Sequence, residues 1–404
     1  MRRLVWAAAV LAAVAGRAAL AADPVVLGAV LSETPAAAGV SARLIRAGME
    51  AAIAVANAEE AGRRQPLRLL VRDDGGVLAR SGEAVERSVR EDKAVAVLGG
   101  QTSATAIAQI GAGARAGRPI VNVNGWERGL RLAGVADVFH VAPDEDTVPD
   151  AIARSIVAVR ADRVAIVLGA GERAAADRAA AIRAAVGSLR SEVALRTATI
   201  DLTHRGPYPA VASFLREPAD VVLAIAGGAT AARLVAPVRA AGVAPSLTTL
   251  LMDGGGITDA LPTRDDLAGP TRLMLAVALH HPDLPVTPRG AAARRQLADE
   301  IPETRLFHQG ADAVFAVVDA LRRARGTDAA ALVRALEAGT AEGTRGPVAF
   351  AAEPGPRHRQ RRDVPFALVQ HVEPGEVPKL VWRPGAAFEA GAIVRSARPA
   401  GAKR

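Results

Sequence analysis

The chain contains no cysteine. That excludes disulfides, thiol catalysis, cysteine-ligated zinc, iron–sulfur clusters and lipid attachment to a cysteine. Aromatic residues are 3% of the 404 positions, with one tyrosine, Tyr208. Stacking platforms for single-stranded nucleic acid are therefore not provided for. Lysine is scarce as well. Lys93, Lys379 and Lys403 are the only ones, and the other 47 basic residues are arginine. The formal net charge of +8 comes with an arginine- and alanine-rich, lysine-poor composition of the kind a GC-rich coding sequence produces. These arginines are interleaved with acids along the chain, which reads as solvated faces and not as a nucleic-acid footprint. No segment beyond residue 22 has the roughly eighteen uninterrupted apolar residues of a spanning helix.

What is present begins with an address. Arg2 and Arg3 form a positive start, Leu4 to Ala15 an apolar stretch, and Ala19-Leu20-Ala21 a small-x-small cleavage pattern. Residues 1–22 therefore read as a secretory signal cut after Ala21, with a periplasmic mature chain. Half of the residues are hydrophobic and 23% are charged, a globular composition. At roughly 150 residues per domain, two or three domains are expected.

The mature chain alternates strand and helix. Val25 to Leu31 is a continuous apolar run, as suits a strand buried on both faces. Helical spacing follows over 41–61, with Leu44, Ile45, Met49, Ala52, Ile53 and Ala56 on one face. Strands are expected at Leu67–Val71, Ala94–Leu98 and Pro119–Val123, with helices over 79–91 and from Thr102 or Ser103 to Ala116. That is a doubly wound parallel lobe. A second series restarts with a helix over 145–160. Its strands are expected at Val164–Leu168, Val193–Ile200, Val221–Ile225 and Leu247–Met252, and its helices at 172–186, 208–216 and 229–241. A strand at Leu273–Leu279 and helices at 288–300, 308–325 and 328–338 come next. Pro347–Phe350, Val364–Val369 and Pro378–Val381 read as short antiparallel strands. Arg357 to Arg362 reads as a solvated hairpin loop, and 385–404 as a flexible tail.

Several stretches carry a resemblance. They are Val26-Leu27-Gly28-Ala29-Val30-Leu31, Gly39, Gly48-Met49-Glu50-Ala51-Ala52 to Asn57, and Leu70-Val71-Arg72-Asp73-Asp74. Val97-Leu98-Gly99-Gly100-Gln101-Thr102-Ser103, Gly310-Ala311-Asp312-Ala313-Val314 and Gly346-Pro347-Val348-Ala349-Phe350 complete the series. In order and spacing the chain resembles the type I periplasmic binding proteins, and most of all the branched-chain amino-acid binding proteins of ABC importers. The resemblance implies an α/β fold of two doubly wound, Rossmann-like lobes joined by three hinge crossings, near Pro143, Leu273 and Gly346–Pro347. Lobe 1 is then 23–143 with 274–346, and lobe 2 is 144–273 with 347–384. A ligand is taken between the lobes, which close on it, and is handed to a permease in the inner membrane. A monomer without cofactor, metal or enzymatic activity is expected.

The resemblance also supplies candidate ligand residues. Ser103 opens a helix after a strand, where a hydroxyl, amides and the helix dipole together hold an anion. Gln101 and Thr102 share that loop. Gly125 and Trp126 follow the fourth strand, as close-approach glycine and apolar wall. In the second lobe the family's aromatic positions are not matched. Arg173 stands near one of them, and Asp253 lies close to where some members place an amine-binding glutamate. The expected ligand is a small carboxylate, either an amino acid or an organic or aromatic acid.

Other motifs are weaker. Gly169-Ala170-Gly171 lacks the third glycine of a dinucleotide fingerprint. His280 and His281 are adjacent, which is not metal-ligand spacing. No Gly-x-Ser-x-Gly elbow occurs. The competing reading is a sensory module that hands its closed form to a receptor or kinase. An exported enzyme comes third, and a repressor lacks its helix-turn-helix.

Overall fold

The computed structural model describes residues 23–60, 65–124, 137–142, 147–170, 173–201, 209–225, 249–252, 275–355, 358–372 and 376–394. The signal segment and the helix expected over 229–241 lie outside them. The chain divides into two compact units. The first takes the described residues up to Asn124, 137–141 and Thr287–Gln360; the second takes those from Ala142 to Val286 and from Arg361 onward.

The first unit is built on a five-stranded parallel sheet in the order β2-β1-β3-β4-β5. Its strands are β1 (Val25–Leu31), β2 (Leu67–Asp73), β3 (Ala96–Gly99), β4 (Ile120–Asn122) and β5 (Val138–His140). The helices between them are α1 (Ala36–Glu59), α2 (Leu78–Arg90) and α3 (Ser103–Ala116). Strand β1 shows why its run is continuously apolar. Leu27, Ala29 and Leu31 join the large cluster with Ile45, Met49 and Phe315, whereas Val26 and Val30 join Val85, Val97 and Ile110 on the other face. Strand β5 was not expected, because three residues are too few to show a period.

The same unit recruits α7 (Pro288–Arg294), α8 (Arg305–Ala324), α9 (Ala329–Ala338) and the hairpin β11 (Thr340–Glu342) with β12 (Pro347–Ala349). Helices α1 and α8 cross at two glycines. A Cβ on Gly48 would lie 1.9 Å from the carbonyl oxygen of Phe307, and one on Gly310 2.2 Å from that of Ile45. Two further residues of the resemblance motifs fasten local structure. The Asn57 side chain bonds both the amide and the carbonyl of Leu67, at 2.8 and 3.0 Å, setting the start of β2. Asp312 accepts from the amide and hydroxyl of Thr344, at 2.6 and 2.8 Å, holding the β11–β12 turn. Arg289 ties α7 to its neighbours. It meets Glu59 at 2.7 Å and Asp319 at 2.9 Å, with its guanidinium over the Phe315 ring.

The second unit has a seven-stranded sheet, β14-β13-β10-β9-β8-β6-β7. Strands β6 (Arg163–Gly169), β7 (Ala194–Ile200), β8 (Val221–Ile225), β9 (Thr249–Met252) and β10 (Leu275–Ala278) run parallel. Strands β13 (Ala367–Gln370) and β14 (Lys379–Trp382) are added antiparallel. Helices α4 (Thr147–Ala158), α5 (Arg173–Leu189) and α6 (Pro209–Phe214) belong here. Strand β6 splits its side chains as β1 does, with Val164 and Ile166 to one cluster and Ala165 and Val167 to another.

Strand pairing decides where the chain changes unit. The changes fall at 141/142, 286/287 and 360/361, the last two beyond the expected Leu273 and Gly346–Pro347. Strand β10 pairs with β9 and β13, which keeps it in the second unit, and β12 pairs with β11, which keeps it in the first. Two surface expectations change as well. Arg359 is not solvated. It meets Glu337 and Asp137 and lies over the Phe139 ring at 5.0 Å. Residues 385–394, expected in the flexible tail, are attached to the second unit. Gln370 bonds both the amide and the carbonyl of Val394, at 2.8 and 2.9 Å, and Phe388 and Ile393 pack on the core.

Candidate functional site

In open parallel sheets, ligands meet the loops at the carboxyl ends of the strands. In the first unit those loops are joined by one buried polar network. Asp74, which follows β2, is fully buried. It accepts hydrogen bonds from the Ser32 hydroxyl at 2.7 Å, the Gly76 amide at 2.8 Å and the Gln109 amide nitrogen at 3.4 Å, and from the Ser81 hydroxyl. Ser32 follows β1, Ser81 lies in α2 and Gln109 in α3, so one carboxyl group joins four chain segments.

Gln109 carries the connection to the β3–α3 loop. Its side-chain oxygen accepts from the Gly100 amide at 2.7 Å, and its nitrogen reaches the Val30 carbonyl at 3.3 Å. Gly100 has φ +75°, and a Cβ there would lie 2.1 Å from the Asn122 side-chain oxygen. Only glycine suits both demands. Beside this network, Asp73 accepts from the Glu33 and Thr34 amides and from the Thr34 hydroxyl at 2.6 Å. Burial works against its charge, yet these bonds hold its carboxyl below the usual range.

The expected ligand residues on this loop take different roles. Gln101 is 4% exposed, and its side-chain oxygen accepts from the Ser32 amide at 2.9 Å, so that oxygen braces the loop. Thr102 is the N-cap of α3. Its hydroxyl accepts from the Thr105 amide at 3.2 Å, and the Thr105 side chain returns the bond to the Thr102 amide, a capping box. Ser103 is the first residue of α3. Among the described residues, the Ser103 and Ala104 amides have no protein acceptor. Two N–H groups at a helix start thus remain for an anion. Arg173 is the first residue of α5. Gly125, Trp126 and Asp253 lie outside the described residues.

Sequence reasoning missed three contributors. Ser32 and Gln109 carry the network, but only the fold brings them to Asp74. Arg305, the first residue of α8, donates to the Asn124 side-chain oxygen at 2.7 Å and to that of Gln309 at 3.0 Å. Asn124 in turn donates to the Gln101 carbonyl at 2.9 Å. No pattern around residue 305 signals this, because its partner lies 181 positions away.

The chain belongs to the periplasmic binding protein family, whose model matches residues 24–373. It is a type I member, an α/β protein akin to the branched-chain amino-acid substrate-binding proteins of ABC transporters. Solved structures share the fold over almost their whole length. An ABC-type branched-chain amino acid transporter from Rhodopseudomonas palustris is 17% identical, with TM-score 0.71, covering 92% of this chain and 98% of its own. A solute binding protein from R. palustris in complex with 4-hydroxybenzoate is 15% identical, with TM-score 0.65 and coverage of 91% and 99%. The branched-chain amino acid substrate binding protein of Streptococcus pneumoniae, in complex with isoleucine, is 16% identical, with TM-score 0.62 and coverage of 89% and 100%. No curated protein sequence matches the chain.

Proposed function

We propose that the chain is the solute-binding protein of an ABC importer. It acts in the periplasm after loss of its N-terminal signal, takes a small carboxylate-bearing ligand, and delivers it unchanged to a membrane permease. It works as a monomer and without enzymatic turnover. The observation that carries this reading is the start of α3. A capping box fixes the helix, a buried network fixes the loop before it, and two amides there have no protein acceptor among the described residues. Backbone amides at a helix start favour an anion. Isoleucine and 4-hydroxybenzoate, held by two related proteins, share one group, a carboxylate. Ser103 is the proposed ligand contact of the first unit, and Gly125, Trp126, Arg173 and Asp253 are proposed as further ligand residues.

The test is a thermal-shift screen of the chain from Ala22 with amino acids, dicarboxylates and aromatic acids, with tryptophan emission followed on each hit. A ligand at 100 times its dissociation constant adds about 2.7 kcal/mol of stability. Saturable stabilisation by a carboxylate, with an emission change that disappears in Trp126→Phe, is the expected result. Silence across the panel in ligand-free protein counts against the reading.

A further inference from the structure

We propose that the groove between α2 and α3 is a face on which the membrane permease docks, and that it receives an apolar side chain of the permease flanked by a basic one. The inference rests on the transport function proposed above and gives that reading a surface and a partner chemistry.

The first argument is where apolar surface is left open. Among the described residues, Val40, Val77, Leu78 and Ile107 are exposed in the first unit, and Leu189 and Val377 in the second. The first four stand in the opening turns of α1, α2 and α3 or just before them. That is the end of the sheet that carries the ligand loops, and Ile107 lies one turn after Ser103, where α3 starts. Scattered exposed hydrophobics are ordinary, whereas a set along one edge marks an interaction surface. A carrier that hands its ligand to a membrane partner needs such contacts beside the ligand loop.

The second argument is the shape of the groove. Its volume is about 520 Å³, and the small residues Gly82 and Gly111 line it together with Leu78 and Ile107. Both glycines lie inside helices, and neither has a positive φ. A Cβ on Gly82 would meet its nearest neighbours at 3.6 and 3.7 Å, and one on Gly111 would meet Arg115 Nη1 at 3.7 Å. These are ordinary contacts. Alanine would fit at both places and is the better helix former. Neither the backbone nor the packing of the unit calls for glycine there. Room for an incoming side chain does.

The third argument is charge. Glu83 and Glu86 line the groove against one base, Arg115. Arg115 is already engaged, since its Nε and Nη2 donate to Glu86 at 3.0 and 2.7 Å. Glu83 is exposed and forms no ion pair among the described residues. A chain of net charge +8 thus presents an acidic groove with one unpaired carboxylate. This suits a basic partner and opposes an anionic lipid surface, so a docking protein fits it and a bare membrane does not.

Because the chain has no cysteine, single introduced cysteines can report the face. Leu78→Cys and Ile107→Cys would be labelled with benzophenone maleimide, with Leu189→Cys and Val377→Cys as second-unit controls. Each would be photolysed on right-side-out inner-membrane vesicles of the native cell, with the carboxylate panel present, and adducts identified by mass spectrometry. Carboxylate binding would be measured on the same proteins by calorimetry. The expected result is an adduct with an ABC permease from both groove positions, at least about fivefold above the controls. Adding Glu83→Arg or Gly111→Leu should lower it about tenfold, as like charges or a filled groove oppose docking. Carboxylate affinity should change less than about threefold, since neither change touches a ligand residue. Permease adducts equally abundant from the control positions, or indifferent to Glu83→Arg and Gly111→Leu, overturn the docking face and leave the transport reading standing. Adducts joining two copies of this chain overturn the choice of partner. Carboxylate binding without a permease adduct from either groove position overturns the face as well. A chain that binds no carboxylate of the panel overturns the function beneath the inference and the inference with it.

Discussion

Replacing Asp74 by asparagine keeps the shape of the side chain and changes one acceptor into a donor. In the native network, one carboxylate oxygen receives the Ser32 hydroxyl and the Gly76 amide, and the other receives the Ser81 hydroxyl and the Gln109 side-chain nitrogen. An asparagine serves the first pair as before. Its NH2 then faces Ser81, which can turn its hydroxyl to accept, and Gln109, whose nitrogen cannot. Each buried polar group left without its partner costs about 1–3 kcal/mol. The Gln109 bond is long, and its nitrogen keeps the Val30 carbonyl. The expected loss for Asp74→Asn is about 2 kcal/mol, and for Asp74→Ala, which removes every acceptor, about 4 kcal/mol. A chain of two units need not unfold in one step, so the assay should be local. Hydrogen exchange reports it directly, because the Gly100 amide bonds Gln109 and the Ser32 amide bonds Gln101. Asp74→Asn should speed exchange in peptides covering 30–34 and 98–103 about tenfold or more, leave β6 and β8 unchanged, and weaken carboxylate binding. Unaltered exchange at Gly100 and Ser32 would refute the view that Asp74 braces the ligand loop.

Further predictions concern packing and titration. Gly48→Ala and Gly310→Ala each gain about 1 kcal/mol of helix propensity but push a methyl into a backbone carbonyl. A net loss of about 1–3 kcal/mol is expected by urea denaturation, and a neutral outcome would contradict the close crossing. Arg289→Met removes one of the two cations that Glu59 and Asp319 share and leaves Arg322 between them. The loss should therefore fall below the about 3–5 kcal/mol of a broken buried pair, and Arg322→Met made in addition should cost more than the sum of the two single changes, as measured by urea denaturation. His371 is 2% exposed, and burial lowers its pKa to about 4. The unfolded chain therefore binds a proton below about 6.5 that the folded chain refuses until about 4. Stability at neutral pH should fall by about 3 kcal/mol as pH drops through that window. His371→Gln should flatten this slope, and an identical slope in both proteins would remove His371 as its source.

The central parallel strands β1, β6 and β8 were legible because they are buried on both faces, and the long helices because they show an apolar stripe. Strand β8 falls on its expected limits, Val221 to Ile225, with every residue buried. Strands β5 and β11 were not legible, since three residues carry no usable period. The limits of the two compact units depend on which partner a strand finds, which sequence spacing does not carry. The motifs behind the family resemblance prove informative for a different reason from ligand contact. Gly48, Asn57, Gly310 and Asp312 set helix crossings, a strand start and a turn, so they mark the fold and leave the ligand open. The helix start at Ser103 was legible because a turn from strand to helix has a local signature. Arg305 and Gln109 were not, because their meaning comes from residues far away in sequence.

The central claim is that this chain binds a small carboxylate and releases it unchanged. Equilibrium dialysis of the ligand-free chain from Ala22 against a mixed panel of carboxylates, with mass spectrometry of both compartments, addresses it most directly. The account predicts one acid retained at a ratio approaching one per chain, displaced by excess of the same acid and recovered with its mass unaltered. A panel distributed evenly across the membrane, or an acid recovered as a product, would contradict it.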